Sequence, residues 1–366
     1  MGSFENLQIH PQKYLLTMRI FNFSSRLIHL STLLVLLTGT SANAEPCYAG
    51  EWTKTRLYGH SYSGGDFTDE QYKWIKDNFE FFTIEKPHMR SVHPDPSHEK
   101  TSHLTATRLI KQNPKCKPLM IYSISAAYCK WFESEALAFK EHPEYFIKND
   151  KGVATHLNLH LKAENDWYVE TTNRNCDESD LQGIFIDGWR TAVRKHKPNV
   201  SYIVSKMTGF RLINGFILNK DRDGMYDGIE MLDKVDGVFI DSWFRHTCDS
   251  VIAGQTMIDT CLQIPNDKMF VCFSAHDGWS KTHNFSHAAY LIVANDNAYY
   301  RWVDEGAHLW NQESLMTWHD DFGKKIGKPL GKATKDGYSY HREFENCVVD
   351  LDLKEKTSSI AWKSAD

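Results

Sequence analysis

From residue 55 the chain alternates short apolar runs with stretches in which apolar residues recur every three or four positions, the signature of strands followed by helices in a parallel sheet. The first run, "TRLYGH" at 55–60, precedes the amphipathic "FTDEQYKWIKDNF" at 67–79, with Thr68 placed to cap it. Further strands are predicted at 79–86, 117–125, 183–187, 211–218, 237–241, 269–275 and 289–296, and further helices at 102–113, 225–235 and 248–261. Eight such strands close into a (β/α)8 TIM barrel, the expected α/β fold. No run is followed by GxGxxG, which argues against a doubly wound dinucleotide-binding sheet.

Two departures from this rhythm set the expected boundaries. Residues 126–181 are longer than a connection needs and predict a helix plus an excursion that shapes the site. From residue 327 the chain is turn-rich and then alternates, with "CVVDLDL" and "SSIAWK" reading as strands, so a small C-terminal β element at 327–366 is expected to pack on a barrel of 45–326. Before the barrel, Arg19 and Arg26 precede an apolar stretch ending at Leu37 and then Ala42-Asn43-Ala44. That order predicts a signal peptide over 1–44, cleaved after Ala44, with Met18 a second candidate start and a secreted or periplasmic product. The stretch falls short of the ~20 residues that span a bilayer, so no membrane insertion of the mature chain is expected.

Charge changes the picture by exclusion. The 42 basic and 47 acidic residues, net −5, are scattered without long blocks, which argues against nucleic acid. Aromatic residues make up 13% of the chain, including eleven Trp, and their flat faces suit sugar rings, although most tryptophans simply fill cores. The eight cysteines, an even number in a chain expected to be exported, predict disulfides of unknown pairing, with Cys272 inside "MFVCFSA" an alternative buried thiol.

The candidate chemistry lies in a phrase written twice, "GIFIDGWR" at 183–190 and "GVFIDSWFR" at 237–245. Each ends an apolar strand with an aspartate, Asp187 on the fourth strand and Asp241 on the sixth, where a barrel presents its reactive groups. One strand apart, the two carboxylates can face each other across the mouth, as cleavage of a glycosidic bond by a nucleophile and an acid requires. The alternative is that each merely caps a loop or helix. Around them Glu85, His60, Tyr122, His276 and Asp296 stand at or after the ends of other predicted strands; Glu85 could bind substrate hydroxyls, replace one Asp as the acid, or simply pair with Lys86 or a later Arg. Arg190 and Arg245 could orient the carboxylates or hold an acidic sugar, and Trp189 and Trp243 could stack on rings. A carbohydrate-binding barrel without turnover and a polysaccharide lyase are the competing readings.

The order "KPLMIYSIS", "HPEYFIKNDKG", "GIFIDGWR", "GVFIDSWFR", "AAYLIVANDNAYYRW" and "GKPLG…YHREFENCVVDL" resembles the barrel glycoside hydrolases related to the α-galactosidase superfamily. That resemblance implies a nucleophile at Asp187 and an acid/base at Asp241 in a retaining mechanism on a poly- or oligosaccharide. It calls for no metal or organic cofactor. The pairs His156/His160 and His283/His287 have i, i+4 spacing but neither is HExxH, and Ser274, His276 and Asp277 lack a GxSxG elbow.

Overall fold

Alternation within each apolar run decides which side chains face the barrel axis and which face the helices. The computed structural model describes residues 52–93, 97–215, 229–245, 248, 250–304 and 312–363. In chain order the strands and helices are β1 (Leu57–Ser61), α1 (Asp69–Asn78), β2 (Phe79–Ile84), α2 (His98–Gln112), β3 (Lys117–Ser123) and α3 (Glu133–Glu141). Then come β4 (Phe146–Lys148), β5 (Ala154–Leu157), α4 (Lys162–Asp177), β6 (Gly183–Asp187), α5 (Trp189–Lys206), β7 (Phe210–Asn214) and β8 (Gly237–Ile240). They are followed by α6 (Val251–Cys261), β9 (Met269–Ala275), α7 (His283–Val293), β10 (Ala298–Val303) and α8 (Gln312–Leu315). The last four strands are β11 (Thr334–Asp336), β12 (Ser339–Glu343), β13 (Cys347–Asp352) and β14 (Thr357–Trp362).

Eight parallel strands close in the order β1-β2-β3-β6-β7-β8-β9-β10, and β10 returns to pair with β1. This is the expected (β/α)8 barrel. Tyr58, Phe81, Ile121, Phe185, Phe239 and Phe273 fill its interior, while residues of the opposite parity, such as Ile84, Met120, Ile186 and Ile240, pack under the helices. Thr68 caps α1 as expected: its hydroxyl accepts from Gln71 N at 3.2 Å, and the Gln71 side chain accepts from Thr68 N at 2.9 Å. The excursion after β3 is more ordered than its sequence suggests, with α3, a β4–β5 hairpin and α4.

The eighth strand is not where it was expected. Residues 289–293 of "AYLIVAND" belong to α7, and the strand is β10, "AYYRWV". The run misleads because α7 has no wet side. One face packs on the barrel and another on the antiparallel sheet β11-β12-β13-β14, so every residue from Phe285 to Val293 is buried. Arg342, reaching from β12, joins sheet and helix by donating to the carbonyls of Leu291, Ile292 and Ala294 at 3.0, 2.9 and 2.6 Å. These are the acceptors that the end of an α-helix leaves open.

Other expectations also change. Helix α5 was not foreseen, because Pro198 and a kink at His196 interrupt its pattern. The helix expected at 225–235 is a 3₁₀ turn over Ile229–Lys234 within the described residues. Disulfides find no support there, since all seven described cysteines are free thiols and five of them are buried. The signal peptide, Cys47, residues 216–218 of the fifth run and residues 225–228 lie outside the described residues. No described helix is long and apolar enough to cross a membrane.

Candidate active site

Strand parity selects the side chains that rise from the aromatic floor of the barrel. With Phe185 and Phe239 facing inward, the inner positions one step further along are Asp187 at the end of β6 and Asp241 just past β8. Strand β7 runs between them, and its last residue, Asn214, donates from Nδ2 to Asp187 Oδ1 at 3.1 Å. The same oxygen accepts from Gly188 N at 2.9 Å, while Lys86 Nζ lies 3.3 Å from Asp187 Oδ2. Three N–H donors from three segments therefore fix this carboxylate.

Gly188 makes that arrangement sterically possible. Its φ is +72°, and a Cβ there would lie 2.1 Å from Ser125 Oγ, so only glycine both turns the chain into α5 and clears β3.

Asp241 is the more open of the pair, its side chain 42% exposed against 23% for Asp187. Arg245 is buried beneath it. Its guanidinium donates to the Asp241 carbonyl at 3.0 Å, lies 3.8 Å from Asp241 Oδ1 and pairs with Asp277 at 2.9 Å. Arg245 thus holds the turn that carries Asp241, with Asp277 as a counter-charge.

Glu85 follows β2 and is buried. Its Oε2 lies 2.8 Å from His60 Nε2, and its Oε1 lies 3.1 Å from Lys86 Nζ. Burial alone would raise this carboxyl, but the Lys86 ammonium and the His60 hydrogen bond outweigh it and hold Glu85 well below the usual carboxylate range. Burial lowers His60 in spite of Glu85, and that ring packs edge-on to Phe185 and Phe239. Glu85 is thus an anion at neutral pH and suits accepting substrate hydroxyls better than donating a proton.

Several expected site residues lie elsewhere. Tyr122 has the outer parity and is buried between Phe132 and Tyr168, its hydroxyl 3.0 Å from Ser134 Oγ. Trp189 and Trp243 are fully buried in the layer under the helices, so neither can stack on a sugar; Trp243 Nε1 donates to Ser286 O. Asp296 precedes β10 rather than following a strand. It therefore sits at the amino-terminal end of the barrel, where it accepts from Trp52 Nε1 at 2.9 Å and its carbonyl accepts from Arg56. Arg190 is half-buried beside Gly215, and His276 follows β9 at the rim near Trp302.

Asn214 and Tyr128 were not singled out from the sequence, while Lys86 was expected only as a salt-bridge partner of Glu85, which it is, and Asp277 only within the weak serine-hydrolase pattern. Tyr128, half-buried with its ring 5.0 Å from Lys86 Nζ, supplies an aromatic face where the two tryptophans do not. Of the two that were missed, only Asn214 carried a local signal, as the polar residue inside the fifth apolar run, which the structure shows to be the end of β7. Ser274, inside the one weak serine-hydrolase pattern, is buried and donates to Trp243 O at 2.7 Å.

Among solved structures the chain is similar to an α-amylase from Geobacillus thermoleovorans complexed with acarbose, at 11% identity over 83% of this chain and 88% of that one, TM-score 0.50. At that identity the likeness speaks to the barrel fold alone. A noncanonic maltogenic α-amylase, AmyB, from Thermotoga neapolitana also matches, at 11% identity over 81% and 85% of the two chains with TM-score 0.48. So does the glycoside hydrolase domain of PelA from Pseudomonas aeruginosa, at 9% identity over 68% and 94% with TM-score 0.44. No curated protein matches the sequence. The model of hypothetical glycosyl hydrolase family 15 matches residues 111–348, more than half of the chain and including Asp187 and Asp241. The chain therefore belongs to hypothetical glycosyl hydrolase family 15 and is a glycoside hydrolase.

Proposed function

We propose that this enzyme cleaves an O-glycosidic bond of a poly- or oligosaccharide with retention of configuration, using Asp187 as nucleophile and Asp241 as acid/base. The observation that carries the reading is the contrast between the two aspartates. Asp187 is clamped by Lys86, Asn214 and Gly188, whereas Asp241 stands more open on a turn braced by Arg245. A nucleophile needs fixed aim, and an acid/base needs access to the leaving oxygen and then to water. In the first step Asp187 attacks the anomeric carbon, the bond to the leaving oxygen breaks, and Asp241 gives that oxygen its proton. In the second step Asp241 takes a proton from water, whose oxygen displaces Asp187 from the anomeric carbon.

Glu85 accepts substrate hydroxyls, and Tyr128 offers a ring face at the mouth. Kinship with the α-galactosidase superfamily, export through residues 1–44 and a barrel ending near residue 326 belong to the same proposal. The test is a glycan panel assayed with wild type, Asp187→Asn and Asp241→Asn, following released reducing ends and, by NMR, the anomer formed first. Cleavage by the wild type with at least ~10³-fold loss in both variants is expected. Undiminished cleavage by either variant, or first formation of the inverted anomer, overturns the assignment.

A further inference from the structure

Outside the barrel wall, α7 carries His283 and His287 one helical turn apart, facing a segment that brings back His319 and the 3₁₀ turn Asp320–Gly323. One donor atom from each of His283, His287 and Asp321 lies within 4.8 Å of the others. Both histidines are buried, and His283 Nε2 and His287 Nδ1 have no hydrogen-bond partner. The other nitrogen of His287, Nε2, lies 2.9 Å from Thr55 Oγ1; in the tautomer whose Nε2–H donates to that hydroxyl, Nδ1 keeps a free lone pair.

Unpaired nitrogens in an apolar pocket are costly, and two on one helix face call for a ligand that accepts lone pairs. The surroundings hold the rings still. His283 stacks on His319 with centroids 4.0 Å apart and meets Phe322 edge-on, while His287 stacks on Tyr300. Burial holds both imidazoles neutral at pH 7, the form that binds a metal. The charged or titratable neighbours are His319, Asp304, Asp320 and Lys324, whose Nζ pairs with Asp321 at 2.6 Å and would have to yield one carboxylate oxygen.

We propose that His283, His287 and Asp321 form a site for a divalent transition ion of the zinc type, completed by water. Two imidazoles and one carboxylate suit zinc, cobalt(II) or nickel(II), whereas calcium and magnesium take oxygen ligands. Ligand atoms on a tetrahedral ion stand about 3.3 Å apart at ~2.0 Å bond lengths, so binding draws the three groups inward by about an ångström. The ion would clasp α7 to the segment behind it, away from the aspartates of the mouth.

The test is titration of chelator-treated full-length protein with Zn²⁺ by calorimetry and with Co²⁺ by visible absorption. One equivalent, tetrahedral cobalt bands and a zinc-dependent rise in Tm are expected in the wild type. Asp321→Asn should weaken binding at least ~10-fold and remove the Tm rise. Asp321 is partly exposed, so this variant decides the matter even if His287→Gln does not fold. Absence of binding by the wild type, or wild-type affinity in Asp321→Asn, overturns the site whatever the outcome for the aspartates.

Discussion

Lys86 Nζ, reaching from the end of the second barrel strand, stands 3.3 Å from Asp187 Oδ2 at the end of the fourth. The same ammonium lies 3.1 Å from Glu85 Oε1, so one largely buried cation serves two carboxylates. Its removal would leave both without their counter-charge.

Lys86→Met is therefore expected to destabilise the protein by about 3 kcal/mol near neutral pH. The Glu85 contribution has a definite pH window. A carboxyl depressed in the folded state adds stability above its unfolded value of about 4.3 and loses it as pH falls further. Denaturant titrations should thus show the gap between wild type and variant widest near pH 7 and closing below about pH 4. An equal gap at every pH would refute the pairing.

Gly188→Ala tests the turn into α5. A side chain at φ +72° that also meets Ser125 Oγ at 2.1 Å is expected to cost about 2–3 kcal/mol and to displace Asp187. Activity measured on the folded enzyme should fall with stability. Full kcat in a destabilised variant would show that Asp187 needs no such aim.

Aromatic substitutions should split into two groups. Trp189→Ala and Trp243→Ala remove fully buried rings and are expected to cost about 3–5 kcal/mol, with KM unchanged while the enzyme stays folded. Tyr128→Ala should leave Tm nearly unaltered and raise KM about tenfold, since its ring faces the mouth beside Lys86. The reverse pattern would place the sugar against the tryptophans.

Glu135 and Glu164, under β3, give the stability curve a slope. Burial pushes both carboxyls up to about 8, and neither Glu164 oxygen has a hydrogen-bond partner. Between about pH 4.3 and 8 the native state then holds more protons than the unfolded chain, so stability falls as pH rises. Glu164→Gln should make that slope shallower by up to about 1.4 kcal/mol per pH unit in urea titrations at pH 5–8. An unchanged slope would refute the assignment.

The barrel was legible because seven of its eight strands are short apolar runs in the right places, and continuous apolar character is what a strand buried on both faces requires. Parity was harder to read. In "KPLMIYSIS" both Tyr122 and Ser123 could face inward until Leu119 and Ile121 are seen inside the barrel, which gives Ser123 the inner parity and sends Tyr122 outward. Asp296 was misplaced together with the eighth strand. The two tryptophans look the same in sequence whether they line a rim or begin the packing of the next element. Lys86 meets both Asp187 and the Tyr128 ring across the curve of the sheet at β2, β3 and β6, which local spacing does not encode.

The helix without a wet side has a consequence for how the chain comes to be folded. α7 must be covered on one flank by barrel strands and on the other by β12–β14, which follow the barrel in the chain. The Arg342 guanidinium that closes the helix end arrives only with that stretch. During synthesis, which proceeds from the amino terminus, an apolar helical surface beside the barrel's last strand stays open until β12–β14 have been made. A chain cut before β12 is therefore expected to keep α7 uncovered and to aggregate, even though every strand of the barrel is already present.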